Sequence, residues 1–174
     1  HMFGGDHDMP LLMRIKIGIN TGYGSQHSMD PAGIMATSAG WRIIAPSNAL
    51  DYVGLVNAAM HLKDPVVVLE HDADLYKASG PAPKSDWNYI LPPGQAAIRR
   101  AGSAVTVLSY LAMVGKSVEA AEKAGVDAEV IDLRWLDRAS LDWTTIEASI
   151  RKTNKVVIVE QGSLGTSYGG WLAD

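Results

Sequence analysis

Cysteine does not occur among the 174 residues, which removes disulfide scaffolds, thiolate nucleophiles and cysteine zinc sites together and fits a reducing, intracellular setting. Clustered positive charge is also missing. The 15 lysines and arginines are scattered and outnumbered by 19 acidic residues, for a formal net charge of −4. No stripe exists to neutralise a phosphate backbone, and no nucleic-acid partner is expected. Long apolar runs are lacking too: stretches such as Val66-Val67-Val68-Leu69 fall far short of the ~20 residues that span a bilayer. No membrane association is expected. The opening His1-Met2-Phe3-Gly4-Gly5 has no basic flank followed by an apolar segment, so it does not read as a signal or transit peptide.

What is present is a foldable α/β pattern, with 47% hydrophobic and 20% charged residues. In the second half, three β-rich runs at 104–110, 128–133 and 155–160 alternate with helical periods. One helix, over 114–124, aligns Val114, Val118, Ala121 and Ala124 and stops at Gly125. The next is capped by Asp142 and runs to Lys152, with Trp143, Ile146 and Ile150 at helical spacing. This βαβαβ order predicts parallel strands joined by crossovers.

The first half repeats the pattern. A strand over 10–19 is followed by a helix opened by Asp30-Pro31 and closed by Gly40. A short strand over 41–45 leads to a helix capped by Ser47, then to a strand over 66–70. Between the halves, 77–94 contains four prolines and no sustained period, which marks a linker. Each half is shorter than the usual domain of ~100–150 residues, so each is expected to be part of a domain.

His27, in Gly22-Tyr23-Gly24-Ser25-Gln26-His27-Ser28, lies between a strand and a capped helix, where α/β folds present reactive groups. Its imidazole can move a proton near neutral pH or face a carboxylate when charged; the plainer account is a loop histidine bonded to nearby backbone. His1, His7, His61 and His71 form no metal-ligand spacing. Glu70-His71 with Asp72 and Asp74 comes nearest and is read as a solvated loop edge. The glycine-rich 162–170 fits neither GxGxxG nor GxxxxGK[ST] and is read as a turn into a helix. Ser25 and Ser28 lack a GxSxG elbow, which argues against a serine hydrolase.

Four segments in order and register carry a resemblance: Gly24-Ser25-Gln26-His27-Ser28, Trp41-Arg42-Ile43-Ile44-Ala45-Pro46-Ser47-Asn48, Asp64-Pro65-Val66-Val67-Val68-Leu69-Glu70 and Thr145-Ile146-Glu147-Ala148-Ser149-Ile150. Together they resemble the β subunits of thiamine-diphosphate-dependent 2-oxoacid dehydrogenases of the pyruvate dehydrogenase type. The resemblance implies an α/β fold of two parallel-sheet units. These are part of a transketolase-like pyrimidine-binding domain at 1–76, a linker at 77–93, and part of a transketolase C-terminal-like domain at 94–174.

It also implies that His27 is the catalytic histidine and that thiamine diphosphate and magnesium are held mostly by an α subunit. A glutamate that activates the pyrimidine matches no position in this sequence, so the isolated chain is expected to be inactive and to bind the cofactor poorly. A potassium ion is implied as well, on backbone carbonyls matching Leu11, Ala59, Leu62 and Asp64, although the side chains at Leu62 and Asp64 depart from the family's. The expected partners are the α subunit, a second β subunit and the lipoyl-bearing acyltransferase core, with sheet edges that favour association. The expected place is the bacterial cytoplasm, or the mitochondrial matrix in a eukaryote. Alternative readings are a branched-chain 2-oxoacid or acetoin dehydrogenase β subunit, and a noncatalytic α/β interaction fragment.

Overall fold

The computed structural model describes residues 6–18, 22–71 and 86–174. The first sheet is formed by β1 (Leu12–Ile17), β2 (Arg42–Ile44) and β3 (Val66–His71), all parallel, in the order β1-β3-β2. Between these strands lie α1 (Gly24–Ser28), α2 (Ala32–Ala36) and α3 (Ala49–Met60). The second sheet contains β4 (Ala97–Arg100), β5 (Val105–Ser109), β6 (Ala128–Asp132) and β7 (Val156–Val159), in the order β4-β6-β5-β7. Its helices are α4 (Ala112–Ala124), α5 (Trp143–Thr153) and α6 (Tyr168–Ala173). Among the described residues no helix is long and apolar enough to cross a membrane.

The two parallel units are as expected, and so are the ends of their longer helices. Gly125 stops α4 at φ 63°, and the Asp142 side chain accepts the Thr145 N–H at the start of α5. β4 was not anticipated. It runs antiparallel to β6 at the sheet edge, with its register shifted between Ile98 and Arg100; four residues with two arginines give little strand signal. The cap expected at Ser47 belongs to Asn48, whose Oδ1 accepts the Asp51 N–H, because the Ser47 hydroxyl is drawn to the buried carboxylate of Asp132 at 2.6 Å. Pro31 stands at the cap of α2 rather than at its first turn, and Asp30 accepts the Ala32 N–H across it.

Alternation along the strands sorts the core into layers. Val66 and Val68 of β3 and Ile44 of β2 turn toward Leu55, Ala58 and Ala59 of α3. Val67, Leu69 and Ile43 turn the other way, into a cluster that also holds Leu108, Tyr110, Ile131, Leu133, Leu136, Ile146 and Tyr168 of the second unit. One core thus serves both sheets, and each large aliphatic side chain fully buried in it stabilises the fold by ~1.5–3 kcal/mol. A third cluster, with Val107, Val114, Ala121 and Val130, fastens α4 to the second sheet.

Backbone bonds stitch the same junction. The Ala45 N–H donates to the Arg134 carbonyl at 2.8 Å, and the Leu136 N–H donates to the Ile43 carbonyl at 2.9 Å. The described part of the linker packs on α3. The Leu91 N–H donates to the Gly54 carbonyl, and the Asn57 side chain donates to the Trp87 and Tyr89 carbonyls. The rest of it, within 72–85, lies outside the described residues, as do Asp72, Asp74, His1 and residues 19–21.

Candidate active site

His27 sits in the one-turn helix α1, beyond the C-terminal end of β1, and its side chain is exposed. Gly24 at φ 75° and Gly22 at φ 84° let the chain turn into that helix, a backbone region that favours glycine. The imidazole therefore stands open at the strand ends where α/β folds place reactive groups, and a small molecule can reach it. Tyr23, also exposed, lies under the Lys16 ammonium, 4.4 Å from the ring centre.

Three residues after His27 the chain is pinned. Asp30, 6% exposed, accepts the Ala32 N–H at 2.9 Å through Oδ1 and the Tyr110 hydroxyl at 2.7 Å through Oδ2. Tyr110 directly follows β5, and its hydroxyl oxygen is also 3.2 Å from Oε2 of Glu160, which directly follows β7. Both Glu160 oxygens receive backbone donors, the Tyr168 N–H at 2.8 Å and the Gly169 N–H at 2.9 Å. The Tyr168 hydroxyl in turn donates to the Leu136 carbonyl.

Burial raises the Asp30 carboxyl above the ordinary aspartate value, against the opposing pull of the Ala32 N–H and the Tyr110 hydroxyl. Burial, with the adjacent Asp30 and Glu160 carboxylates, holds the Tyr110 phenol protonated. In the sequence Asp30 is read only as a helix opener, and Tyr110 and Glu160 are not singled out. The available signal was polar residues placed immediately after the β5 and β7 runs.

A second polar cluster crosses the junction. Asp51, 2% exposed in the first turn of α3, takes Nε and Nη2 of Arg134, each at 2.9 Å. It also pairs with Arg99, which reaches the fully buried Asp132 through Nε at 3.1 Å and Nη2 at 2.8 Å. Arg134 holds φ 62°, an uncommon backbone state for a side chain of its size.

Leu11, Ala59, Leu62 and Asp64 come together. With Pro10, Leu12 and Met60 they line a cavity of about 40 Å³ where α3 ends. The Leu11 carbonyl already accepts the Val66 N–H at 2.7 Å and the Ala59 carbonyl the Leu62 N–H at 3.0 Å, but each carbonyl oxygen has a second lone pair. The negative end of α3 and these oxygens suit a hard monovalent cation, so the residues fit the implied potassium. Among the described residues no three His, Asp or Glu side chains are grouped to hold a metal.

Glu70 and His71 correct the reading of a solvated edge. Both are 3% exposed, because β3 extends through them and Glu70 is met by Arg14 at 2.6 and 3.0 Å and by the Tyr52 hydroxyl at 2.7 Å. The glycine-rich stretch is a turn, a 3₁₀ segment Leu164–Thr166 followed by α6.

Two families match the chain. The transketolase pyrimidine binding domain matches residues 1–77 and the transketolase C-terminal domain matches residues 94–174. Among individual proteins, the mitochondrial pyruvate dehydrogenase E1 component subunit beta-1 of Arabidopsis thaliana is 41% identical over 93% of this chain and 45% of its own length. The human mitochondrial pyruvate dehydrogenase E1 component subunit beta is 36% identical over 93% of this chain and 46% of its own. The acetoin:2,6-dichlorophenolindophenol oxidoreductase subunit beta of Cupriavidus necator is 34% identical over 94% and 48%.

A solved structure described as a split gene transketolase, inactive beta4 tetramer, superposes with a TM-score of 0.70 at 21% identity, covering 95% of this chain and 53% of the other; it shares the fold. The chain spans about half the length of the curated relatives it matches. It belongs to the transketolase-like family, as a stretch of pyrimidine-binding domain running into C-terminal domain, and is similar over nearly its full extent to pyruvate dehydrogenase β subunits.

Proposed function

We propose that this chain is part of the β subunit of a 2-oxoacid dehydrogenase acting on pyruvate, in which thiamine-diphosphate-dependent oxidative decarboxylation is followed by acyl transfer to a lipoyl group. The observation that carries the reading is the open imidazole of His27 beyond β1, in a chain 36–41% identical to pyruvate dehydrogenase β subunits over nearly its full extent. On this reading residues 1–76 and 94–174 are the two partial domains and 77–93 the linker. Thiamine diphosphate, when bound, supplies the electron sink for decarboxylation.

This chain's contribution is positional and electrostatic. A charged His27 would oppose the substrate carboxylate, and the neutral ring would take up and release a proton at its free nitrogen. Magnesium and the diphosphate belong chiefly to the α subunit, and potassium to the carbonyls of Leu11, Ala59, Leu62 and Asp64. The partners are the α subunit, a second β subunit and the lipoyl-bearing acyltransferase core. The setting is the cytoplasm of a bacterium, or the matrix of a mitochondrion if the source is eukaryotic.

An acetoin-type or branched-chain substrate is the second reading, favoured by the 34% identity to the acetoin enzyme's β subunit. The test is the full-length β subunit carrying His27→Ala, assembled with its α subunit and assayed on pyruvate, acetoin and branched-chain 2-oxoacids. Loss of ~10²–10⁴ in kcat on the preferred substrate is expected. Undiminished turnover would remove His27 from the chemistry. A full-length β subunit that assembles but supports no turnover on any of these substrates would leave a noncatalytic interaction module. The 174-residue stretch alone is expected to show no saturable uptake of thiamine diphosphate in calorimetry.

A further inference from the structure

We propose that Asp30, Tyr110 and Glu160 form a proton-sharing latch between the two units that positions the His27 loop, Tyr110 being the positioning residue. The inference rests on the reading of His27 as the catalytic imidazole and adds what holds it. The latch lies where the strand ends converge: Asp30 follows α1 by two residues, Tyr110 is the first residue after β5, and Glu160 is the first after β7. Asp30 is the buried anchor nearest His27, and its Oδ2 meets a hydroxyl from the other unit at 2.7 Å.

The hydrogen count makes the arrangement more than a tie. A phenol carries one hydrogen, yet the Tyr110 oxygen lies within bonding distance of carboxyl oxygens on both sides, 2.7 Å from Asp30 and 3.2 Å from Glu160. If both carboxyls are ionised, one of these contacts opposes two bare oxygens in a buried place, which is repulsive. With one proton on Asp30, its O–H donates to Tyr110 and Tyr110 donates to Glu160, completing a chain in one direction. Glu160 is the accepting end, since the Tyr168 and Gly169 N–H groups already address both its oxygens. The other titratable group facing Asp30 is His71 of β3, and the buried Tyr168 faces Glu160 from α6.

Backbone strain falls at the same point. Leu111, directly after Tyr110, is buried and holds φ 51°, ψ −140°, a conformation that side chains avoid. Strain of this kind persists where the surroundings over-determine a residue. At this point it sets the turn by which the chain passes from Tyr110 into α4.

The experiment uses the assembled enzyme with full-length β subunits carrying Tyr110→Phe, Asp30→Asn or His27→Ala, followed by kcat and KM from acid to alkaline pH. Tyr110→Phe keeps the ring and is expected to lower kcat by roughly ten- to a hundredfold through misplacement of the loop, with KM and subunit assembly little changed. Asp30→Asn places an amide donor where the shared proton would be, at every pH. It is expected to keep more of kcat than Tyr110→Phe and to change the shape of the wild-type pH profile.

An unchanged kcat and pH profile in Tyr110→Phe, beside an inactive His27→Ala, would overturn the latch and leave the β-subunit reading standing. Loss of assembly with normal kcat per assembled enzyme would reduce Tyr110 to a structural role and also overturn it. Asp30→Asn with the wild-type pH profile would refute the shared proton. A fully active His27→Ala would remove the reading on which the latch depends.

Discussion

Replacement of Asp51 by alanine tests the account of the junction most directly. The carboxylate is 2% exposed and meets two guanidiniums, Arg134 at 2.9 Å through both Oδ atoms and Arg99 through Oδ2. With Asp132, the cluster holds two positive and two negative charges. Removing Asp51 leaves Arg99 and Arg134 with Asp132 alone in a largely closed space, and breaking a buried pair in this way costs ~3–5 kcal/mol. One term reduces the figure: the arginine side chains keep 27% and 11% of their surface in contact with solvent.

The net loss is about 3 kcal/mol, which at ~2–4 °C per kcal/mol for a chain of this size lowers Tm by about 6–12 °C. Calorimetry and urea denaturation of the chain would read it. A ΔΔG below ~1 kcal/mol would refute the reasoning and show that the cluster is as weak as an exposed pair. Asp51→Asn, which keeps acceptor oxygen but loses the charge, should fall between.

Three further outcomes follow from other parts of the molecule. Gly33→Ala would place a Cβ 2.1 Å from the Thr166 carbonyl oxygen and 2.7 Å from the Ser167 carbonyl carbon, backbone that cannot yield; a loss of ~1–3 kcal/mol is expected in chemical denaturation, and a neutral result would contradict the close packing of α2 on α6. Because Asp30 has a raised carboxyl pKa, the folded chain holds that proton more tightly than the unfolded one. Its contribution to stability is complete below the ordinary aspartate value and is lost as pH rises through the raised one, so Tm should fall over that window and the slope should vanish in Asp30→Asn. Potassium chloride at constant ionic strength should raise Tm relative to sodium or choline chloride if the carbonyl cavity beside α3 takes the ion, and equal melting curves would dismiss the site.

The fold was readable where local chemistry and burial agree. The runs at 66–70 and 128–133 became β3 (Val66–His71) and β6 (Ala128–Asp132), and Gly125 and Asp142 bound their helices as expected. The sequence misled where a distant partner outbid a local one. Ser47 has the chemistry of a cap, but a carboxylate 85 positions away takes its hydroxyl and leaves the cap to Asn48. Glu70 looks like the solvated end of a strand until Arg14 and Tyr52 enclose it.

His27 could be singled out because its loop carries its own signal in the glycines around it. Asp30, Tyr110 and Glu160 could not, since 80 and 50 residues separate Tyr110 from its two partners and each alone is an ordinary polar residue at a strand or helix end. β4 escaped for a related reason, being defined by its pairing with β6 rather than by a hydrophobic period of its own.

The cluster that places Ile43, Val67 and Leu69 beside Leu108, Ile131 and Tyr168 constrains how the two sheets can move. Two bodies sharing one interior cannot swing apart on a hinge without exposing oil to water over that entire surface, a far larger penalty than thermal fluctuation supplies. Movement is then left to short loops such as the one bearing His27, while the paired sheets act as a fixed anvil.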